Sequence, residues 1–356
     1  MPHDAPTSPP TPGTPASADA GANPITVEVT RGGVVESRHR GAAAIVDVRG
    51  AVQAAWGDIQ RPVYPRSAIK ALQALALVET GAAEAYGFGD RELALACASH
   101  NGEPAHVETA TAMLKAVGLD QSALECGAHW PYSEAATRAL AATGTAPDQR
   151  HNNCSGKHAG MLALASHLGV DPKDYSDLRH PVQQRIMGVM EGMTGLDLGR
   201  AAVAPDGCSV PTWAIPLENL AYAFALFGTG ERMPDRRAEA ARRLMAAVFA
   251  EPFLVAGTDR FCTDFMTATA PRVFVKTGAE GVFCAAVPAY GLGVALKCDD
   301  GAGRAAEIML VAALRTIGVL DDVEDAVVRR FIDRPVENRR GTLVGDIRPA
   351  QGWLAF

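Results

Sequence analysis

Ser67 and Lys70 stand three residues apart in the run Pro65-Arg66-Ser67-Ala68-Ile69-Lys70. A serine hydroxyl becomes a nucleophile only when a base takes its proton, and a lysine serves as that base only where its surroundings lower its pKa. Helical spacing of i and i+3 puts amine and hydroxyl on one face. The pattern by itself equally describes a surface helix start with a solvated lysine, so it needs companions.

Three companions occur further along. Lys276-Thr277-Gly278 closes the apolar run VFVKTG at an expected strand end. A Ser-x-x-Lys at a first helix followed by Lys-Thr-Gly on a late strand resembles the arrangement of serine β-lactamases and penicillin-binding proteins, in which the late strand edges the active site. The segment from Cys97 to Pro104, CASHNGEP, breaks an apolar stretch into a polar turn. It offers Ser99 as a second hydroxyl and His100 as a donor or acceptor, or merely Asn101 or Glu103 capping the next helix. The segment HNNCSGKH, residues 151–158, and Asp206-Gly207-Cys208 place two thiols on separate segments. These can meet at a zinc ion or remain buried and unligated.

The elements that must position these residues follow from periodicity. ITVEVTRGG, AAAIVDVRG and AVQAAWGD predict an opening antiparallel meander. From Ser67 the apolar spacing turns helical and stops at Gly81, and further helices are expected over 104–117, 155–168, 181–193, 216–227, 235–250 and 303–317. Strand character returns in RVFVKTG, VFCAAVP and GVALKC, ahead of a short mixed tail. Sheet at both chain ends and helices between predict an α+β fold with one shared antiparallel sheet and a helical lobe.

Bulk composition narrows the classes. The 356 residues carry a formal charge of −7 without a conspicuous basic run, which leaves no electrostatic reason to bind nucleic acid. No apolar stretch approaches the roughly 20 residues of a membrane span. Residues 1–24, rich in Pro, Thr, Ala and Ser, read as a flexible tail without the marks of a secretory signal, and residues 25–356 as one catalytic domain. Seven cysteines form no compact framework, which favours a reducing, cytoplasmic setting.

Taken in order, PRSAIK, CASHNGEP, HNNCSGKHAGML, DGCSVPTWAIPL and VFVKTGAEG resemble the L-asparaginase II family of the rhizobial type. The resemblance runs from about Ile25 to the late 340s. It implies a serine β-lactamase-like fold, a homodimer, and hydrolysis of L-asparagine to aspartate and ammonia. It further implies the catalytic pairs Ser67 with Lys70 and Ser99 with Lys276, and a zinc site of Cys154, Lys157 and Cys208 with Arg66, His158 and Asp206 close by. Lysine as a ligand requires the neutral amine, at a cost of roughly 4–5 kcal/mol against its ordinary pKa, which direct coordination and water exclusion can offset. Asp206 suits a substrate α-ammonium group and Arg66 a carboxylate; His100 and His158 complete the expected substrate-binding set. Three alternatives stand beside this reading: a glutaminase or other small-amide hydrolase, a hydrolase using metal-bound hydroxide, and a non-catalytic amino-acid-binding protein.

Overall fold

A computed structural model describes residues 22–351 and 353. Strands β1 (Ile25–Arg31), β2 (Val34–Asp47) and β3 (Val52–Trp56) open the chain. After a long helical stretch come β4 (Phe274–Gly278), β5 (Val282–Val287), β6 (Leu292–Cys298), β7 (Arg334–Glu337) and β8 (Leu343–Pro349). The eight form one antiparallel sheet in the order β7-β8-β1-β2-β6-β5-β4, with β3 added on β2. This is the expected α+β architecture of β-lactamase-like type, with strands from both chain ends in one sheet. The short mixed tail of the sequence reading is a strand pair that extends the sheet beyond β1.

The second half of β2, Gly41–Asp47, is almost wholly apolar because both sheet faces are covered. Helix α6 (Leu217–Thr229) packs on β2, β5 and β6, and α9 (Gly303–Thr316) touches β6, β5 and β1. The helical lobe contains α1 (Lys70–Glu79), α2 (Asp90–Ala96), α3 (Pro104–Ala116), α4 (Ser155–Leu168), α5 (Pro181–Thr194), α7 (Asp235–Ala250) and α8 (Phe261–Thr269). Helix α1 lies at its centre against α4, α5 and α7, and every residue from Lys70 to Val78 is buried. A lysine in such a helix must find its partners inside the protein, which decides where Lys70 points.

Residues 1–21 of the expected tail lie outside the described residues. Its last residues lead straight into β1. Asn23 is buried, and its side chain donates to Asp299 and accepts from the backbone N–H of Asp58.

Candidate active site

The approach to Ser67 is a single 3-10 turn, Arg66–Ile69, that runs into α1. Arg66 adopts φ +53°, a left-handed conformation that costs a non-glycine residue free energy and is retained where surrounding contacts enforce it. The enforcing contact is an ion pair of the Arg66 guanidinium with the Asp206 carboxylate. Edge strand β4 ends against this turn so closely that a Cβ on Gly278 would lie 2.4 Å from the Pro65 carbonyl oxygen. Only glycine allows Lys276-Thr277-Gly278 to lie alongside Ser67.

The sequence spacing predicts that Lys70 faces Ser67. Instead, the fully buried Lys70 amine donates to Ser99 Oγ at 3.0 Å, to the Asn153 carbonyl at 3.4 Å and to the Ala98 carbonyl at 2.5 Å. Ser67 has no side-chain hydrogen bond among the described residues and is half-buried. The reason is burial: Lys70 opens a helix that runs through the centre of the lobe, and its amine follows that helix inward to the Ser99 hydroxyl and two backbone carbonyls. From the other side Lys276 Nζ reaches Ser99 Oγ at 2.8 Å and the Thr277 carbonyl at 2.9 Å. Burial and the neighbouring Lys70 charge lower the Lys276 pKa to about 7. A hydroxyl can donate one bond and accept two. Ser99 therefore accepts from one amine and donates to the other, and the chain Lys70, Ser99, Lys276 can conduct a proton.

The loop that presents Ser99 is held from behind. Its backbone N–H donates to the Val255 carbonyl. His100, expected to meet substrate, is fully buried with both ring nitrogens used inside the protein: Nδ1 accepts from the Gly102 N–H and Nε2 lies 2.9 Å from Ser155 Oγ. Burial and stacking neighbour His106 keep its pKa well below the ordinary value, so it is neutral. The Glu103 side chain clamps Thr258. Arg260, which sequence reasoning missed, donates to Asn101 Oδ1 at 2.7 Å and approaches the Ser99 carbonyl. Nothing in its own segment, GTDRF, marks it; only the fold brings it there.

Helix α4 meets the end of α2 so tightly that a Cβ on Gly156 would lie 2.3 Å from the Leu95 carbonyl oxygen. That approach sets Cys154 and Lys157 beside the serine loop. Asn152 holds Cys154 by accepting from its N–H and donating to the Cys126 carbonyl. Lys157 Nζ lies 2.9 Å from Cys208 Sγ. A hydrogen bond from Cys154 and the Lys157 charge bring Cys208 down to about 4 against the effect of burial, whereas the same Cys154–Cys208 bond and burial push Cys154 up to about 12. Burial disfavours the Lys157 ammonium, but the adjacent thiolate more than compensates and its pKa is raised. The two sulfurs and the amine are thus together, with Lys157 paired to the Cys208 sulfur and the Cys154 thiol donating to Asn153 Oδ1 at 3.3 Å.

Asp206 is drawn below the ordinary carboxylate range by Lys157 and Arg66, despite burial. His158 is buried beneath this group, its Nδ1 2.6 Å from Tyr175 Oη and its Nε2 without a partner among the described residues. Burial and Lys157 lower its pKa to about 3, so the imidazole is neutral. Tyr175 was not foreseen, because its partners are local only in the folded chain. All seven cysteines are free thiols. Among the described residues, a group of three His, Cys, Asp or Glu donors close enough to hold a metal ion is present, but at His39, Cys298 and Asp300 rather than around Cys154. A metal at Cys154 and Cys208 would therefore need Lys157 as its third protein ligand.

A cavity of about 770 Å³ opens against the residues that flank Asp206 and Cys208, lined by Asp174, Arg179, His180, Pro205 and Ser209 among others; none of the four Ser and Lys residues lines it. No helix among the described residues is long and apolar enough to cross a membrane.

Among solved structures the chain is similar to Mglu in its glutamate form, with 17% identity, a TM-score of 0.45, and coverage of 80% of this chain and 63% of that one. A β-lactamase from Mycobacterium bovis shares 14% identity, with a TM-score of 0.37 and 81% and 95% coverage. Against Mglu in its native form the chain spans 64% of the other protein's length. No curated protein matches the chain. A family model described as L-asparaginase II matches residues 27–349, and on that match the chain belongs to the L-asparaginase II family, a family of amidohydrolases.

Proposed function

We propose that the protein hydrolyses L-asparagine to L-aspartate and ammonia through an acyl-enzyme on Ser67. The observation that carries the reading is the buried Lys70, Ser99, Lys276 chain, with spacings of 3.0 and 2.8 Å, ending in an amine whose pKa is about 7. Such an amine is part neutral near pH 7, as a proton acceptor must be.

Access decides between the serines. Ser99 is 4% exposed and bonded on two sides, whereas Ser67 is half-buried with its hydroxyl uncommitted. In this mechanism Lys70 hands a proton through Ser99 to the neutral Lys276 and, with a lone pair freed, turns towards Ser67 to take its proton as Ser67 Oγ bonds to the side-chain amide carbon. The tetrahedral adduct collapses with cleavage of the C–N bond, and the returning proton leaves with nitrogen as ammonia. Water then attacks the ester, gives up a proton by the same route, and releases aspartate and the Ser67 hydroxyl. A second reading makes Ser99 the attacking group with Lys276 as its base, and the 2.8 Å contact favours it.

Arg66 and Asp206 face one another at the rim, a half-exposed guanidinium against a buried carboxylate. We assign them the α-carboxylate and α-ammonium of the substrate, respectively; binding then exchanges their mutual ion pair for two with the ligand. His100 and His158 act from behind, as supports of the Ser99 and Cys154 segments.

The donor set at Cys154, Lys157 and Cys208 fits a thiophilic ion: two sulfurs and an amine lie together, the Cys208 thiol is drawn down to about 4, and the His158 Nε2 below has no partner among the described residues. Zinc bound by these three residues would supply Lewis acidity and a fixed positive charge near the substrate's amino-acid end. The protein's own part is to give up the Cys154 and Lys157 protons. The homodimer and the cytoplasmic setting stand as proposals on the family resemblance and the free thiols; sedimentation tests the former.

The substrate is tested by ammonia release from L-asparagine, L-glutamine and β-aspartyl amides, with and without added zinc. Preference for asparagine by more than about ten-fold in kcat/KM is expected, since one methylene in a shaped pocket is worth about 1–3 kcal/mol. Equal or better turnover of glutamine would assign the protein to the wider small-amide class.

A further inference from the structure

The chemistry above makes no use of the donors at the end of β6. Cys298 closes that strand opposite Gly41 of β2, and the chain turns through Asp300 into α9. His39 reaches the same point from β2. Asp300 stands between them: its Oδ2 is 2.6 Å from His39 Nδ1, and its Oδ1 accepts from Cys298 Sγ at 3.0 Å and from the Ala302 N–H at 3.0 Å. One nitrogen, one sulfur and one carboxylate oxygen thus lie within 4.8 Å of one another.

We propose that His39, Cys298 and Asp300 form a second, independent binding site for a divalent cation of the zinc class. The donor chemistry selects the ion. Calcium and magnesium take sets of oxygens, whereas imidazole with thiolate and a single carboxylate suits zinc or cobalt. Burial shapes the site: His39 is 4% and Cys298 0% exposed, while the Asp300 side chain is 49% exposed and opens the cluster to solvent for ion entry and a fourth, water ligand. The imidazole is also uncommitted elsewhere among the described residues, where His39 Nε2 has no partner. An ion taking Nδ1 displaces the Asp300 contact alone. Ligand bonds of about 2.0–2.3 Å require the three donors to close further, and the half-exposed carboxylate is the one free to move.

Binding exchanges the Cys298 thiol proton for the ion and releases that proton to water. The ion would join β2, β6 and the turn before α9. The β4–β5 turn lies against the same place: a Cβ on Gly281 would meet Cys298 Cβ at 2.9 Å. Occupancy would therefore stiffen the turn that follows Lys276-Thr277-Gly278.

The test uses the full chain carrying Cys154→Ser and Cys208→Ser, stripped of metal and titrated with Co2+, with circular dichroism as the folding control. The expected result is about one ion per chain with a thiolate-to-cobalt absorption band that zinc displaces. Asp300→Asn, a half-exposed and near-isosteric change, should weaken binding at least about ten-fold, and His39→Ala should abolish the band. Absence of the band, or a band unchanged in folded Asp300→Asn, would overturn the proposal and leave the three residues as a hydrogen-bonded turn. Because both Cys154 and Cys208 are absent from this background, failure here leaves the asparaginase reading untouched.

Discussion

Lys276 Nζ lies 2.8 Å from Ser99 Oγ, and both side chains belong to residues buried within the protein. An amine placed there is charged only at a cost, since burial and the nearby Lys70 bring its pKa to about 7 from 10.5.

That cost has a sign that stability can read. Between pH 7 and 10.5 the unfolded chain holds the Lys276 proton and the folded chain does not, so wild-type stability rises with pH across this window. Below pH 7 both states hold it and the burial penalty is fully present. Lys276→Met removes the penalty together with the two hydrogen bonds. Denaturant melts should show the stability of the variant relative to wild type falling as pH rises from 7 towards 10. A difference independent of pH would mean that the amine is not desolvated.

The Cys208 pKa is shifted in the same direction, so its contribution also rises with pH, but here the folded state gains a charge rather than losing one. Its thiolate, with a pKa of about 4 against 9, contributes stability that is complete above pH 9 and disappears as pH falls through about 4. In metal-free protein the thiolate ultraviolet absorbance should persist down to about pH 5 and vanish in Cys208→Ser. Lys157→Met should move its loss upward in pH. The same Lys157→Met and the Cys154→Ser, Cys208→Ser pair should lower bound zinc by about one per chain; undiminished zinc would remove these three residues as its ligands.

Gly156→Ala should destabilise the fold by about 1–3 kcal/mol, since its Cβ would lie 2.3 Å from a backbone oxygen of a buried helix end. Retreat of α4 would also withdraw Cys154 and Lys157. A melting temperature at the wild-type value, with unchanged metal content, would show that the two helices can separate without consequence.

Long elements with strong periodicity were readable before any coordinates. The helices expected over 155–168 and 235–250 run over those very residues, and the strand ending in Lys276-Thr277-Gly278 edges the site. Helix α8 escaped because it is only nine residues long, although Phe261, Cys262, Phe265, Met266 and Thr269 keep helical spacing, and β7 escaped because Arg334–Glu337 alternates only between half-buried and exposed residues. The residues of the site were found by motif, but not their partners. Spacing along a helix predicts Lys70 beside Ser67, and the burial of α1 sends its amine to Ser99, 29 residues on. Arg260 and Tyr175 acquire their roles through contacts of 159 and 17 residues in sequence separation, which no local pattern encodes.

The central claim is that Ser67 attacks and that Lys70, Ser99 and Lys276 move its proton as one unit. The direct measurement is ammonia release from L-asparagine by Ser67→Ala, Lys70→Met and their double variant, each checked by circular dichroism, with intact-mass detection of the acyl-enzyme after rapid acid quench. The account predicts folded proteins, loss of most turnover in each single variant, a double variant little worse than either, and an acyl adduct on the peptide containing Ser67. Turnover retained in Ser67→Ala, with the adduct on the peptide containing Ser99, would contradict it.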